Sequence, residues 1–331
     1  MNIVIIDVII VGAGLSGLVA ARELQTAGKN VVVLDKGRSV GGRLATRRIG
    51  NGIADHGAQF FTVRTEEFQQ QVDQWLKDDL ITVWGHGWSD GSLKRTAEDG
   101  HPRYIAMAGM NSIAKSLAKS LTNIQVNTKV GSITREDDRW IVRASDGVQF
   151  EAKALIMTPP VPQTLELIKG VSLSDEEQTA LKRIKYGPAL CGLFAIEGNI
   201  DLPEPGALQN FDNPIYWIAD NTRKGISPDE HIITLHAEAR YSRSQYDAPD
   251  EETLTFMRKE LQNYLAKGTT IKSEQLKKWR YSVPLTTYPH DVLKAERLPL
   301  IFAGDAFGGR GRVEGAFMSG LAAGKTAIEL V

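Results

Sequence analysis

The sequence is nearly without cysteine and nearly without net charge. Cys191 is its one cysteine in 331 residues, which excludes an intrachain disulfide and a cysteine-built metal centre. Six histidines are scattered along the chain, none in the close pairing of a zinc-binding helix, so no metal is expected. Lys and Arg number 39 against 40 Asp and Glu, a net charge of −1. Such balance gives no broad field for nucleic acid or a membrane surface, so a small-molecule partner is expected. No apolar run approaches the length of a membrane helix. The stretch Met1-Asn2-Ile3-Val4-Ile5-Ile6-Asp7 lacks the basic start of a secretory leader and carries Asp7 within its apolar run. The expected location is cytoplasmic.

What is present is the composition of a globular protein, 42% apolar and 24% charged. Val8 to Val11 reads as a buried parallel strand, with residues 1–6 a short extension ahead of it. The turn Gly12-Ala13-Gly14-Leu15-Ser16-Gly17 opens a helix that stops at Gly28, and Val31 to Leu34 is a second strand ending at Asp35. Gln125–Ile133, Trp140–Ala144 and Val148–Ala152 read as three short strands, with turns at Asp137-Asp138 and Asp146-Gly147. Ala154–Met157 reads as a further strand. That β-meander, where an NAD-type fold would place a helix, is a departure from the doubly wound pattern. Residues 171 to 280 mix helices (Asp175–Ile184, Glu251–Leu265) with strands (Leu190–Ile196, Tyr216–Ala219, Ile232–His236) and read as a second domain. Leu298–Ala303 is a last apolar strand, followed by a small-residue helix over residues 315–331.

Gly12 permits a sharp exit from the strand, Gly14 lets backbone approach a pyrophosphate, and Gly17 lets helix and strand pack closely. The free N–H groups of Leu15, Ser16 and Gly17 then face the phosphates. Asp35, with Lys36 beside it, stands at the distance where a dinucleotide fold places the acid that holds the adenosine ribose. A second glycine pair, Gly41-Gly42-Arg43, offers bare backbone and a planar cation to the same phosphates. Near the other end, Gly304-Asp305 closes a buried strand and suits a polyol chain.

This order of motifs resembles the FAD-binding amine oxidase and phytoene desaturase group, and its renalase-like branch in particular. The segments Asp55-His56-Gly57-Ala58-Gln59-Phe60-Phe61-Thr62, Ala108-Gly109-Met110-Asn111, Tyr216-Trp217-Ile218-Ala219 and Trp279-Arg280-Tyr281 carry the narrower likeness. The resemblance implies an α/β fold: a glutathione-reductase-like (Rossmann) FAD-binding domain with a β-meander, joined to a mixed α+β substrate domain, as in the p-hydroxybenzoate hydroxylase-like two-domain architecture. Residues 1–75, 103–170 and 281–331 would form the first domain, and 76–102 with 171–280 the second. It further implies that the Val130 backbone meets the adenine, that Gly42 and Arg43 lie near the pyrophosphate, and that His56, Gly57, Ala58 and Gln59 line the flavin. Gly304 and Asp305 would hold ribityl and phosphate, and Val313, Glu314 and Ala316 would bring a helix N-terminus to the flavin. With Cys191 in the second domain, FAD would be bound non-covalently.

For activity, the resemblance implies oxidation of the 2- and 6-dihydro forms of NAD(P) to NAD(P)+, with hydride passing to flavin N5 and O2 as acceptor, giving hydrogen peroxide. Such chemistry needs orientation more than acid–base groups. Trp217, Asn221, His236, Trp279, Arg280 and Tyr281 are the substrate-side candidates, as stacking rings or phosphate contacts. Each also has a purely structural reading: a core ring, a satisfied buried histidine, a surface ion pair. Two other functions stay open, a flavin amine oxidase or desaturase of an apolar substrate, and a flavoprotein that binds without turnover.

Overall fold

In the computed structural model, residues 6–91 and 96–331 are described, and all of the expected extension over residues 1–6 except Ile6 lies outside them. The chain divides into two compact units: residues 1–44, 113–185 and 284–331 form unit 1, and residues 45–112 and 186–283 form unit 2.

Unit 1 begins with β1 (Ile6–Val11), α1 (Leu15–Thr26) and β2 (Val31–Leu34). The first strand therefore includes Ile6, two residues earlier than the Val8 start read from sequence, because Ile6 already pairs with Ala152. Unit 2 takes the next elements: β3 (Thr46–Ile49), β4 (Gly52–Asp55), α2 (Glu66–Lys77), β5 (Ile81–Ser89) and β6 (Thr96–Ala106). Helix α3 (Asn111–Lys119) leads back to unit 1 and to β7 (Ile124–Gln125), β8 (Val130–Glu136), β9 (Arg139–Ala144), β10 (Gln149–Met157), α4 (Val161–Leu167) and α5 (Asp175–Arg183). Unit 2 resumes with β11 (Tyr186–Glu197), β12 (Ala207–Gln209), β13 (Ile215–Asp220), β14 (Ile232–Ala237), α6 (Ala239–Gln245), α7 (Asp250–Gln262) and β15 (Thr270–Pro284). Strands β16 (Leu293–Lys294) and β17 (Leu300–Phe302) and helix α8 (Arg312–Ile328) complete unit 1.

The unit 1 sheet runs β16-β17-β10-β1-β2-β7, with β8 and β9 branching from β10. Val8, Ile9 and Ile10 are wholly buried, as an unbroken β-branched run must be when both sheet faces are covered. The strand readings Val148–Ala152 and Ala154–Met157 are in fact one strand. The first half of β10 pairs antiparallel with β9 and its second half parallel with β1 and β17. A single strand thus fuses the meander to the Rossmann sheet. Asp137 and Asp138 both adopt positive φ (43° and 62°), the geometry of a tight hairpin turn. Helices α1 and α8 cross closely: a side chain at Gly320 would collide with the Ser16 carbonyl, and the Ser16 hydroxyl donates to the Ala316 carbonyl at 2.5 Å.

Unit 2 is a seven-stranded sheet, β15-β11-β14-β13-β12-β5-β6, beside the separate hairpin β3–β4. Its core carries Leu190, Phe194, Ile218, Leu235 and Met257 under α6 and α7. No helix among the described residues is long and apolar enough to cross a membrane.

The unit boundaries differ from those expected. Residues 45–75 and 103–112 fall in unit 2, because Asp55 accepts from the Met110 amide (2.8 Å) and Tyr104 stacks on Phe61. The segment up to Lys185 falls in unit 1. There α5 opens with a Ser174–Glu177 capping box, and the spare oxygen of Glu177 accepts from the Glu296 amide at 2.8 Å. Residues 281–283 fall in unit 2, because β15 runs on unbroken to Pro284.

Candidate functional site

In unit 1 the three fingerprint glycines do three different things. Gly12 sits at φ +104°, where a side chain would also strike Thr158. At Gly17 a side chain would strike the Gly12 carbonyl, which is the close helix–strand contact expected of it. At Gly14, φ −76°, a Cβ would meet nothing within 4 Å. That space opens onto the start of α1, where no side chain caps the free N–H groups around Leu15 and Ser16. The second glycine pair is held against the first: Gly41 donates to the Ala13 carbonyl at 2.8 Å and bridges Gly14, and Gly42 takes φ +54°.

The Asp35 carboxylate braces this turn, accepting from the Ala13 amide (2.6 Å) with one oxygen and from the Gly37 amide (2.6 Å) with the other. Lys36 is exposed and its ammonium reaches Gln163 at 3.3 Å. The Asp35 carbonyl accepts from the Thr128 amide, so the end of β2 is laced to the chain that enters β8 at Val130. At the far end of the sheet Gly304, φ +136°, donates to the Ser319 hydroxyl. Asp305 is paired by two hydrogen bonds with Arg43. Helix α8 starts after Gly311 with no side-chain cap, and Val313 and Glu314 are buried in its first turn. Open space at Gly14, two uncapped helix starts and one guanidinium fit a dinucleotide pyrophosphate, and unit 1 holds the residues that would bind FAD.

In unit 2 the His56–Gln59 segment is wired to three substrate-side candidates. Gln59 donates its amide to the Asp55 carbonyl (2.8 Å) and lies 3.3 Å from His236 Nε2, while its carbonyl oxygen accepts from the Trp217 indole at 3.3 Å. Trp279 stacks on His56 with ring centroids 5.3 Å apart, and its indole donates to the His56 carbonyl at 2.8 Å. Burial, and then the charge of Lys277, hold His56 down at about 4. Burial, His56 and Lys224 push His236 down to about 3. Both imidazoles are therefore neutral at physiological pH.

The other candidates go elsewhere. Asn221 is wholly buried and spends its amide on the Ile232 carbonyl and the Thr234 hydroxyl, a brace between β13 and β14 with no surface left for a substrate. Arg280 is exposed, lying over the Tyr246 ring at 4.5 Å and 3.6 Å from Asp247. It points to the face of β15 opposite Trp279 and Tyr281, as strand alternation requires. Tyr281 meets Tyr186 edge-on. Trp217, besides its bond to Gln59, belongs to a buried cluster with Phe60, Trp84 and Trp88, whose ring centroids lie 4.7–6.1 Å apart.

Sequence reasoning missed a wholly buried ion pair. The Lys224 ammonium lies 2.7 Å from Asp55 and 5.1 Å from the Trp84 ring centre, both charged side chains fully enclosed. Asp55 also accepts from Thr46 and from the Met110 amide. The one available signal was Asp55 at the head of the His56–Gln59 motif.

A family model described as flavin containing amine oxidoreductase matches residues 90–326, and one described as an NAD(P)-binding Rossmann-like domain matches residues 10–77. Renalase of Mus musculus is 25% identical over 292 residues, which cover 83% of this chain and 84% of the mouse protein. The structure of reduced UDP-galactopyranose mutase aligns with a TM-score of 0.73 at 14% identity, over 99% of this chain and 95% of that one. Wild-type putrescine oxidase bound to putrescine aligns with a TM-score of 0.71 at 15% identity, over 98% and 99%. At these identities the two structures speak for the fold: a Rossmann-type sheet with a second, mixed unit.

Proposed function

This chain belongs to the flavin containing amine oxidoreductase family, and we propose that within it the protein oxidises a dihydronicotinamide of the 2- or 6-dihydro NAD(P) type to NAD(P)+. It is an FAD-dependent oxidoreductase. Bound FAD supplies the two-electron acceptor, and O2 is the proposed final oxidant. The chain's own residues have to bind the substrate ring and orient it.

The observation that carries this reading is the charge state of the substrate-side residues. His56 and His236 are neutral, Gln59 is an amide, and Asp55 has its charge spent on Lys224. A cationic amine would find no carboxylate among them to receive it, whereas a neutral dihydropyridine asks for a ring to stack on and hydrogen bonds to a carboxamide. Trp279, held flat against His56, is such a ring. Gln59 and His236 are groups of the kind that meet a carboxamide. The amine reading asks for an open aromatic cage. The cluster of Phe60, Trp84, Trp88 and Trp217 is instead packed on itself, with both Trp84 and Trp217 more than nine-tenths buried.

Anaerobic mixing of the FAD-loaded protein with 2- and 6-dihydro-NAD, ordinary NADH and a panel of amines tests the proposal. Flavin bleaching by the dihydro isomers alone is expected; bleaching by amines alone removes the reading.

A further inference from the structure

We propose that Arg47 and Lys277 form a phosphate subsite beside Trp279, which grips the pyrophosphate of a dinucleotide substrate; this rests on the dihydronicotinamide reading above. Side chains alternate along β15. Glu274 binds Arg258, Leu276 joins the core under α7, Lys278 binds Asp250, and Arg280 lies over Tyr246. All four even positions face α6 and α7. The odd positions therefore face the other way, and their contacts agree: Gln275 accepts from Arg47 Nε at 3.4 Å, Trp279 stacks on His56, and Tyr281 meets Tyr186. Lys277 stands between Gln275 and Trp279 on that face.

Two cations are thereby brought to one place without an acid between them. Among the described residues neither Arg47 nor Lys277 is paired with a carboxylate. The acid that Lys277 senses, Asp250, is already held by Lys278 at 2.8 Å. Burial, and then repulsion from Arg47, lower the Lys277 ammonium from its ordinary range, and both cations also depress His56. Arg47 is exposed and Lys277 half-buried, and a folded chain gains nothing from the repulsion between two cations on one face. The arrangement becomes favourable when an anion joins them, and guanidinium with ammonium is the pairing that takes phosphate oxygens. Trp279 sets the spacing, since a ring stacked there and phosphates on Lys277 and Arg47 belong to one ligand, a nicotinamide nucleotide. The same chemistry could serve the pyrophosphate of FAD, so the test has to separate the two.

The test uses FAD-loaded protein and ADP-ribose, the pyrophosphate half of the substrate without its reacting ring. Wild-type protein should bind ADP-ribose with an affinity that falls as salt is raised. Lys277→Met and Arg47→Met should each weaken binding about tenfold while retaining FAD. Lys277→Arg should keep most of the affinity, and Lys272→Met, the same charge change on the exposed part of β15, should bind as wild type. In turnover, KM for 6-dihydro-NAD should rise in Lys277→Met, with that for 6-dihydronicotinamide riboside unchanged. The subsite is overturned if wild-type protein does not bind ADP-ribose, if Lys277→Met binds it equally well, or if the variants lose FAD but, once reloaded, bind ADP-ribose normally. Because ADP-ribose binding needs no turnover, loss of the dihydronicotinamide reading would show separately, as a failure of bleaching.

Discussion

Arg43 and Asp305, 262 positions apart, are joined by two parallel hydrogen bonds of 2.6 and 2.7 Å. The pair fastens the second glycine turn to the end of β17, and so joins two motifs, distant in the chain, that the sequence assigns to the phosphate and ribityl part of one cofactor. Bidentate guanidinium–carboxylate geometry holds direction as well as distance, and Asp305 is almost wholly buried. Arg43→Ala and Asp305→Ala should each cut FAD affinity at least tenfold, read by flavin fluorescence on titrating deflavinated protein. Each should also lower Tm by a few degrees. The double variant should lose less than the two losses added together, since either substitution already breaks the clamp. Wild-type FAD affinity in both single variants would reduce the pair to a structural tie.

The buried Lys224–Asp55 pair predicts a different kind of sensitivity. Removing one partner strands the other charge in a closed space, at a cost of about 3–5 kcal/mol. Lys224→Met should therefore destabilise the protein strongly in urea unfolding. Asp55→Asn/Lys224→Met should recover much of the loss, because an amide still meets Thr46 and the Met110 amide without a charge to neutralise. If the single and double variants are equally unstable, the ion pair is not what holds this corner of unit 2.

How much of this was legible beforehand depends on how local each cause is. The β1–turn–α1–β2 unit could be read because its apolar runs, its glycines and Asp35 act on neighbours within about one supersecondary unit. The Asp137-Asp138 turn was legible for the same reason. Strand β15 was not: its polar side chains, Glu274 and Lys278 among them, are spent on partners in α7 and before it, and no apolar alternation marks the strand. Lys224 lies among turn residues and reads as a surface lysine, while its partner is 169 positions away. For Asn221, a substrate-side candidate with a structural reading beside it, the amide closes a β13–β14 connection that only the paired strands reveal. The compact units differ from the expected domains where long-range polar ties, such as Asp55 to Met110, overrule chain proximity.

The two neutral histidines make acid sensitivity predictable. An unfolded chain protonates each near 6.5, whereas the fold holds His56 at about 4 and His236 at about 3. Their contribution to stability is complete above pH 6.5 and is lost as pH falls from there toward about 4 and about 3, where the folded protein also takes up the protons. Across that window the unfolded state binds more protons, so stability falls with pH, by about 3 kcal/mol or more for each histidine. His236→Gln should flatten the slope of unfolding free energy against pH between 6.5 and 4. An unchanged slope would mean that the fold does not hold the His236 imidazole below its ordinary range.

The glycine turn allows folding and cofactor binding to be separated by two single-methyl substitutions. Gly14 has φ −76° and open space where a Cβ would stand, so Gly14→Ala should fold with a Tm close to wild type when stripped of flavin. The same methyl would occupy the space through which backbone meets a pyrophosphate, so FAD affinity should fall by tenfold or more. Gly17→Ala drives its methyl into the Gly12 carbonyl and must push α1 off the sheet, which should lower the Tm of the flavin-free protein first. Differential scanning fluorimetry of both variants, with and without FAD, reads the contrast directly. If Gly14→Ala takes up FAD as well as wild type does, the open space at Gly14 is not where the dinucleotide lies, and the cofactor assignment of the whole turn fails with it.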